Sequence, residues 1–106
     1  GQMLETFVYN ELRRQSSGLN ERIAFSHFRH RDGAEVDIVV EHGAGVVSGV
    51  EVKASSTVRA SDFAGLRMLK QACGKRFGCG VVVYDGETCV GFGDGMYAVP
   101  VERLWK

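Results

Sequence analysis

Asp37, Glu51 and Lys53 have the types and spacing to hold a divalent cation and act on a water molecule. They lie in Glu35-Val36-Asp37-Ile38-Val39-Val40-Glu41 and Gly49-Val50-Glu51-Val52-Lys53, within two β-branched-rich runs parted by His42-Gly43-Ala44-Gly45. Side chains alternate along a strand, so Glu51 and Lys53 share one face while Val50 and Val52 point the other way. A hairpin centred on Ala44 sets Asp37 directly opposite Glu51 on that face. Facing carboxylates repel. A divalent cation reverses the sign, because Mg²⁺ accepts hard oxygen ligands, usually one or two carboxylates plus waters. Lys53 beside them can orient or deprotonate a water, or stabilise a developing oxyanion. The same charges also suit a solvent-facing strand edge, where they block edge-to-edge pairing.

Helices on either side of this stretch offer further candidates. In the first, Leu4, Phe7, Val8 and Leu12 form an apolar stripe. Glu5 sits at the edge of its arc and Glu11 inside it, so periodicity alone nominates Glu11 as the inward acid, with an i+3 ion pair to Arg14 as its bland alternative. In the second, Arg67, Lys70, Gln71 and Lys75 line one polar face. Three positive charges there suit DNA phosphates, although such a face is more often merely solvated. Arg29, His30 and Arg31 form a smaller basic cluster. His27 and His30 do not make a metal pair, since residues three apart on a strand face opposite ways. Gly91-x-Gly93-x-Gly95 reads as a turn rather than a dinucleotide loop, because no buried strand leads in and no helix follows. No phosphate-binding Gly-x-x-x-x-Gly-Lys-Ser/Thr occurs, which places any ATPase activity in another part of a longer protein.

The elements that must position these residues are legible in outline. A helix spans Gln2 to Gln15 and is stopped by Ser16-Ser17-Gly18. Ala24–His30, Ala34–Glu41 and Val46–Lys53 are strands, with turns at Asp32-Gly33 and around Ala44. Ser61 can cap a second helix with Asp62 in its first turn, and Phe63, Leu66, Leu69 and Cys73 share its inner face. Gly78–Tyr84, with Val81-Val82-Val83, reads as a buried central strand. Thr88–Phe92 and Met96–Val99 read as short edge strands. The expected fold is α/β, a mixed sheet between helices in the order helix-strand-strand-strand-helix-strand with short edge strands.

Length and composition agree with a single domain over residues 1–106. With 44% hydrophobic and 25% charged residues the chain is not a disordered tail. Thirteen basic and thirteen acidic side chains cancel, so no global field draws it to nucleic acid or acidic lipid. No apolar run reaches the ~18 residues of a membrane span, and the start lacks a signal-peptide pattern. Cys73, Cys79 and Cys89 form no Cys-x-x-Cys and suit a reducing, cytoplasmic setting. The opening Gly1 in place of Met points to a fragment of something longer.

Taken in order, these motifs resemble the PD-(D/E)XK nuclease superfamily, the restriction-endonuclease-like fold, whose core runs helix, three strands, helix, strand. They resemble still more the C-terminal domain of unknown function that follows an AAA-type ATPase domain in many prokaryotic proteins. That domain opens with Gly-x-x-Leu/Phe-Glu-x-Phe-Val-x-x-Glu-Leu, then has Glu-Val-Asp, Glu-Val-Lys and a late Leu-Trp. Here these are Gly1–Leu12, Glu35–Asp37, Glu51–Lys53 and Leu104-Trp105. The resemblance implies a nuclease-like hydrolase on DNA, accessory to an AAA-type ATPase of the same parent chain. It implies Mg²⁺ or Mn²⁺ held by Asp37, Glu51 and the Val52 carbonyl, with Lys53 acting on the attacking water. It also implies Glu5, not Glu11, as the acid completing the site. Val36 stands where the superfamily's name has Pro, and Gln71 is followed by Lys75 where some branches have Tyr. The alternative is a catalytically silent module that binds DNA or protein and directs the ATPase.

Overall fold

Leu4, Val8 and Leu12 recur at helical spacing, and the chain coils as α1 over Gln2–Ser16 in the computed structural model, which describes residues 2–16, 23–31 and 33–105. Gly1, the Ser17-Gly18 helix stop and Asp32 of the expected turn lie outside those residues, as do the side chains of Leu104 and Trp105. Three strands follow: β1 (Ile23–Arg29), β2 (Glu35–His42) and β3 (Val46–Lys53). A short 3-10 helix, Ala60–Phe63, leads into α2 (Ala64–Cys73). Then come β4 (Phe77–Tyr84), β5 (Val90–Gly93), β6 (Met96–Pro100) and a terminal 3-10 helix, Val101–Trp105. The result is a mixed α/β domain with one six-stranded sheet in the order β1-β2-β3-β4-β6-β5.

The inner strands of the sheet are buried on both faces because they supply apolar side chains to both. Val36, Val39, Val47, Val82 and Tyr84 pack with Phe63, Leu66 and Leu69 on the α2 side. Ile38, Val50 and Val83 pack with Val8 on the α1 side. Phe7 departs from its expected place: it is 42% exposed, off the seam that Leu4, Val8 and Leu12 make. At the centre, β4 runs parallel to both β3 and β6, which explains its unbroken Val81-Val82-Val83.

Two expectations are corrected. β6 is not an edge strand; it lies between β4 and β5, with Met96 and Ala98 fully buried. Its short length suggested an edge, but strand order is set by non-local pairing that local pattern does not carry. The second helix is not capped by Ser61. Its first turn is 3-10, begins after Arg59, and is closed by the Arg59 N–H donating to the Asp62 carboxylate at 2.7 Å. The turn expected over Gly91–Gly95 is confined to Gly93-Asp94-Gly95, with positive φ at all three residues, while Gly91 belongs to β5.

Close backbone approach seats α2. Gly49 and Gly80 are register partners on β3 and β4, and a Cβ on Gly49 would lie 2.5 Å from Leu66 Cδ2. One on Gly80 would lie 2.6 Å from Met96 Sδ. On α2 itself, a Cβ on Gly65 would overlap the Glu35 carbonyl oxygen, which is backbone and cannot step aside. Gly65→Ala should therefore cost about 2–4 kcal/mol of stability through overpacking, whereas Gly91→Ala, with open space around it, should change stability by under about 0.5 kcal/mol. Urea unfolding of the two variants checks this; equal stabilities would remove the proposed contact.

Candidate functional site

The β2–β3 register runs from His42↔Val46 to Ile38↔Val50. One step further along that register, Asp37 faces Glu51, as the Ala44-centred hairpin requires. There the ladder changes character: the Asp37 N–H donates to Glu51 Oε1 at 2.8 Å, and the Val52 N–H donates to Asp37 Oδ2 at 2.8 Å. Two backbone donors that would ordinarily meet carbonyls are satisfied by two carboxylates in a reciprocal clasp. Asp37 also lies in a β-bulge. Ser26 pairs with Val39 and Phe28 with Val36, so Asp37 and Ile38 together oppose the single residue His27. The bulge explains how Val36 and Val39, three apart, both enter the α2-side core. His27 Nδ1 lies 3.5 Å from the Asp37 carbonyl oxygen.

Electrostatics single out Glu51. Burial raises its carboxyl most, the facing charge of Asp37 adds to this, and the Asp37 N–H opposes without prevailing. The charges of Glu5 and Glu35 push the same way, and the carboxyl is pushed up to about 7. Glu5, on the first turn of α1, is thus brought within electrostatic reach of the pair. Glu11 is spoken for by its ion pair with Arg14.

Each clasped carboxylate uses one oxygen, which leaves Asp37 Oδ1 and Glu51 Oε2 to serve as cation donors. Such a set fits a hard divalent ion that keeps several of its waters. Among the described residues, no three His, Cys, Asp or Glu side chains come together closely enough to hold a metal by themselves.

Lys53 shares the face of Glu51, but its ammonium is engaged: Nζ donates to Asp62 Oδ2 at 2.6 Å, in a pair with both side chains mostly shielded from solvent. Burial works to raise Asp62, yet the Arg59 N–H and the Lys53 ammonium outweigh it and hold the carboxyl below its ordinary range. Sequence reasoning did not nominate Asp62. The available signal was its place three residues after Arg59, the spacing at which an acidic side chain reaches back to a helix-start amide.

The basic stripe is dispersed. Arg67 Nη1 lies 3.5 Å from Asp94 Oδ2, and Lys70 Nζ donates to the Asp94 carbonyl at 3.0 Å, so both lean on the β5–β6 turn. Lys75 is exposed, but α2 ends at Cys73, and Gly74 (φ 58°) swings Lys75 into a separate 3-10 turn, off the helix face assumed for it. Arg29 pairs with Glu35 across the β1–β2 ladder at 2.8 Å. His30 packs near the ring of Phe28.

Fold and site together define a mixed-sheet α/β domain with an acidic pair at the open end of its β2–β3 hairpin. The chain matches the family described as "Domain of unknown function (DUF4143)" over residues 1–104, and it belongs to that family. No curated protein matches it.

Folded Glu51 binds its proton more tightly than the unfolded chain does. Its contribution therefore favours the folded state below pH 4.5 and is lost as pH rises from there through about 7. Glu51→Gln keeps an oxygen for the Asp37 amide and removes the charge. At pH 8 it should be more stable than wild type by about 1–2 kcal/mol, less than the full shift implies because water partly screens the group. Unfolding at pH 5 and pH 8 checks this, and an unchanged pH slope in the variant would count against it.

Proposed function

We propose that this chain is a PD-(D/E)XK, restriction-endonuclease-like domain that hydrolyses DNA phosphodiester bonds with Mg²⁺ or Mn²⁺, accessory to an AAA-type ATPase of the same parent chain. The observation that carries the reading is the Asp37–Glu51 pair facing across a hairpin, with Lys53 two residues on and on the Glu51 face. The observed order of α1, β1, β2, β3, α2 and β4 supports it, being that of the superfamily core. The opposed carboxylates answer two backbone amides, and a bound cation would in addition relieve the repulsion that helps push the Glu51 carboxyl up to about 7.

In this reading Asp37 and Glu51 hold the cation, the Val52 carbonyl is a further ligand, and Glu5 adds negative charge from α1. The bound cation supplies an activated water and neutralises charge on the phosphate. Lys53, donating through its ammonium, orients that water or stabilises the phosphate's developing charge. Arg67, Lys70 and Lys75 meet flanking phosphates, the first two by exchanging Asp94 for DNA. The second reading, a catalytically silent DNA- or protein-binding module of the ATPase, is favoured by the engagement of Lys53 with Asp62.

Calorimetric titration with Mn²⁺ should show binding that disappears in Glu51→Gln, and Mg²⁺ should support nicking of plasmid DNA. Lys53→Ala should bind Mn²⁺ much as wild type does while cleavage falls by about 10²–10³-fold. Asp37→Asn should lose both. If Asp37→Asn cleaves normally, the site is elsewhere; Mn²⁺ binding by a wild type that never cleaves DNA supports the silent module.

A further inference from the structure

A lysine two residues from Glu51, on the same strand face, sits beside two carboxylates with a stem long and flexible enough to reach them. Opposite charges a few ångströms apart attract at the dielectric of a protein surface. Left to itself, Lys53 would fold onto the acid pair and occupy the place of a cation. It does not; its ammonium is bonded to Asp62.

Asp62 can win this competition because its carboxylate has a second anchor that does not involve Lys53. The oxygen that receives the ammonium, Oδ2, also accepts the Arg59 N–H at 2.7 Å, and the Asp62 N–H donates back to the Arg59 carbonyl at 2.9 Å. That closed turn feeds α2, which is seated on the sheet by Gly65 against the Glu35 carbonyl and by Leu66 over Gly49 and Gly80. The carboxylate is thus placed by the fold, and no side-chain entropy is lost to hold it when Lys53 binds. Most surface ion pairs lack that advantage.

We propose that Asp62 is a positioning residue that draws the Lys53 ammonium away from Asp37 and Glu51, keeping that pair open to a divalent cation. The role of the cation rests on the function proposed above; the placement of Lys53 does not. Held this way, Lys53 is a proton donor and a positive charge, and has no lone pair with which to act as a base on water.

The test uses the whole chain and two readouts. The first is the Lys53 Cε–Hε resonance. In wild type it should be indifferent to Glu51→Gln; in an Asp62→Asn background it should move when Glu51→Gln is added, because Lys53 has relocated. An Asp62→Asn protein whose Lys53 resonance ignores Glu51→Gln overturns the proposal. The second readout is Mn²⁺ affinity by calorimetry. Asp62→Asn should weaken it by about tenfold, the effect of roughly one ion pair, and Asp62→Asn with Lys53→Met should restore it, since no ammonium remains to compete. A merely structural Asp62 would leave the double variant as weak as the single one, and that result also overturns the proposal. A wild type that binds no Mn²⁺ overturns the metal reading and the cation half of this proposal, while the resonance still decides whether Asp62 diverts Lys53.

Discussion

At the open end of the β2–β3 hairpin, two backbone amides are answered by the carboxylates of Asp37 and Glu51. This is a compromise between two strong demands. A buried amide must find an acceptor or cost about 1–3 kcal/mol, and two facing carboxylates repel. The amide demand is met by bringing the acids together, and the repulsion is relieved by letting Glu51 keep its proton to near neutrality. Everything else at this end of the sheet adapts to that arrangement. The bulge at Asp37-Ile38 shifts the phase of β2 around it, and Lys53, the nearest cation in sequence, finds its partner elsewhere.

Much of this was legible in the sequence because it is local. The bounds of β3 follow from its β-branched run, and the Asp37–Glu51 opposition follows from counting outward from Ala44, since hairpin register depends on the turn alone. The inner face of α2 (Phe63, Leu66, Leu69) follows from its period. What the sequence hid depends on distant pairing or a broken rule. Nothing local in Met96–Pro100 says that it inserts beside β4. The bulge violates the alternation by which strands are read. Helical spacing carries Lys75 onto the α2 face, but Gly74 ends the helix one residue earlier. By sequence Asp62 is only a helix-start charge, and its hold on Lys53 exists only once α2 has docked.

The two layers divide the labour. On the α2 side, glycines at Gly49, Gly65 and Gly80 let helix and sheet approach so closely that the side chains around them have little room to shift. Asp62 inherits this rigidity through the turn leading into α2. Among the described residues the α1 side has no comparable glycine floor: Val8 anchors a seam whose neighbours are partly exposed, and Glu5 reaches the acid pair by charge. The best-placed polar group therefore sits on the tightest layer.

The hairpin is also a statement about modularity. Asp37, Glu51 and Lys53 belong to two adjacent strands joined by the three-residue turn Gly43–Gly45, a short loop with little entropy to lose on closing. The crossovers that bring in β4 and β6 bear on the hydrophobic layers and leave the register of the acids untouched. Insertions in the connection between β4 and β5 would leave the spacing of the acid pair as it is. The frame that holds the charges and the scaffold that buries the core can thus diverge at different rates, and a chain of this design can change its outer elements while its acid pair stays in place.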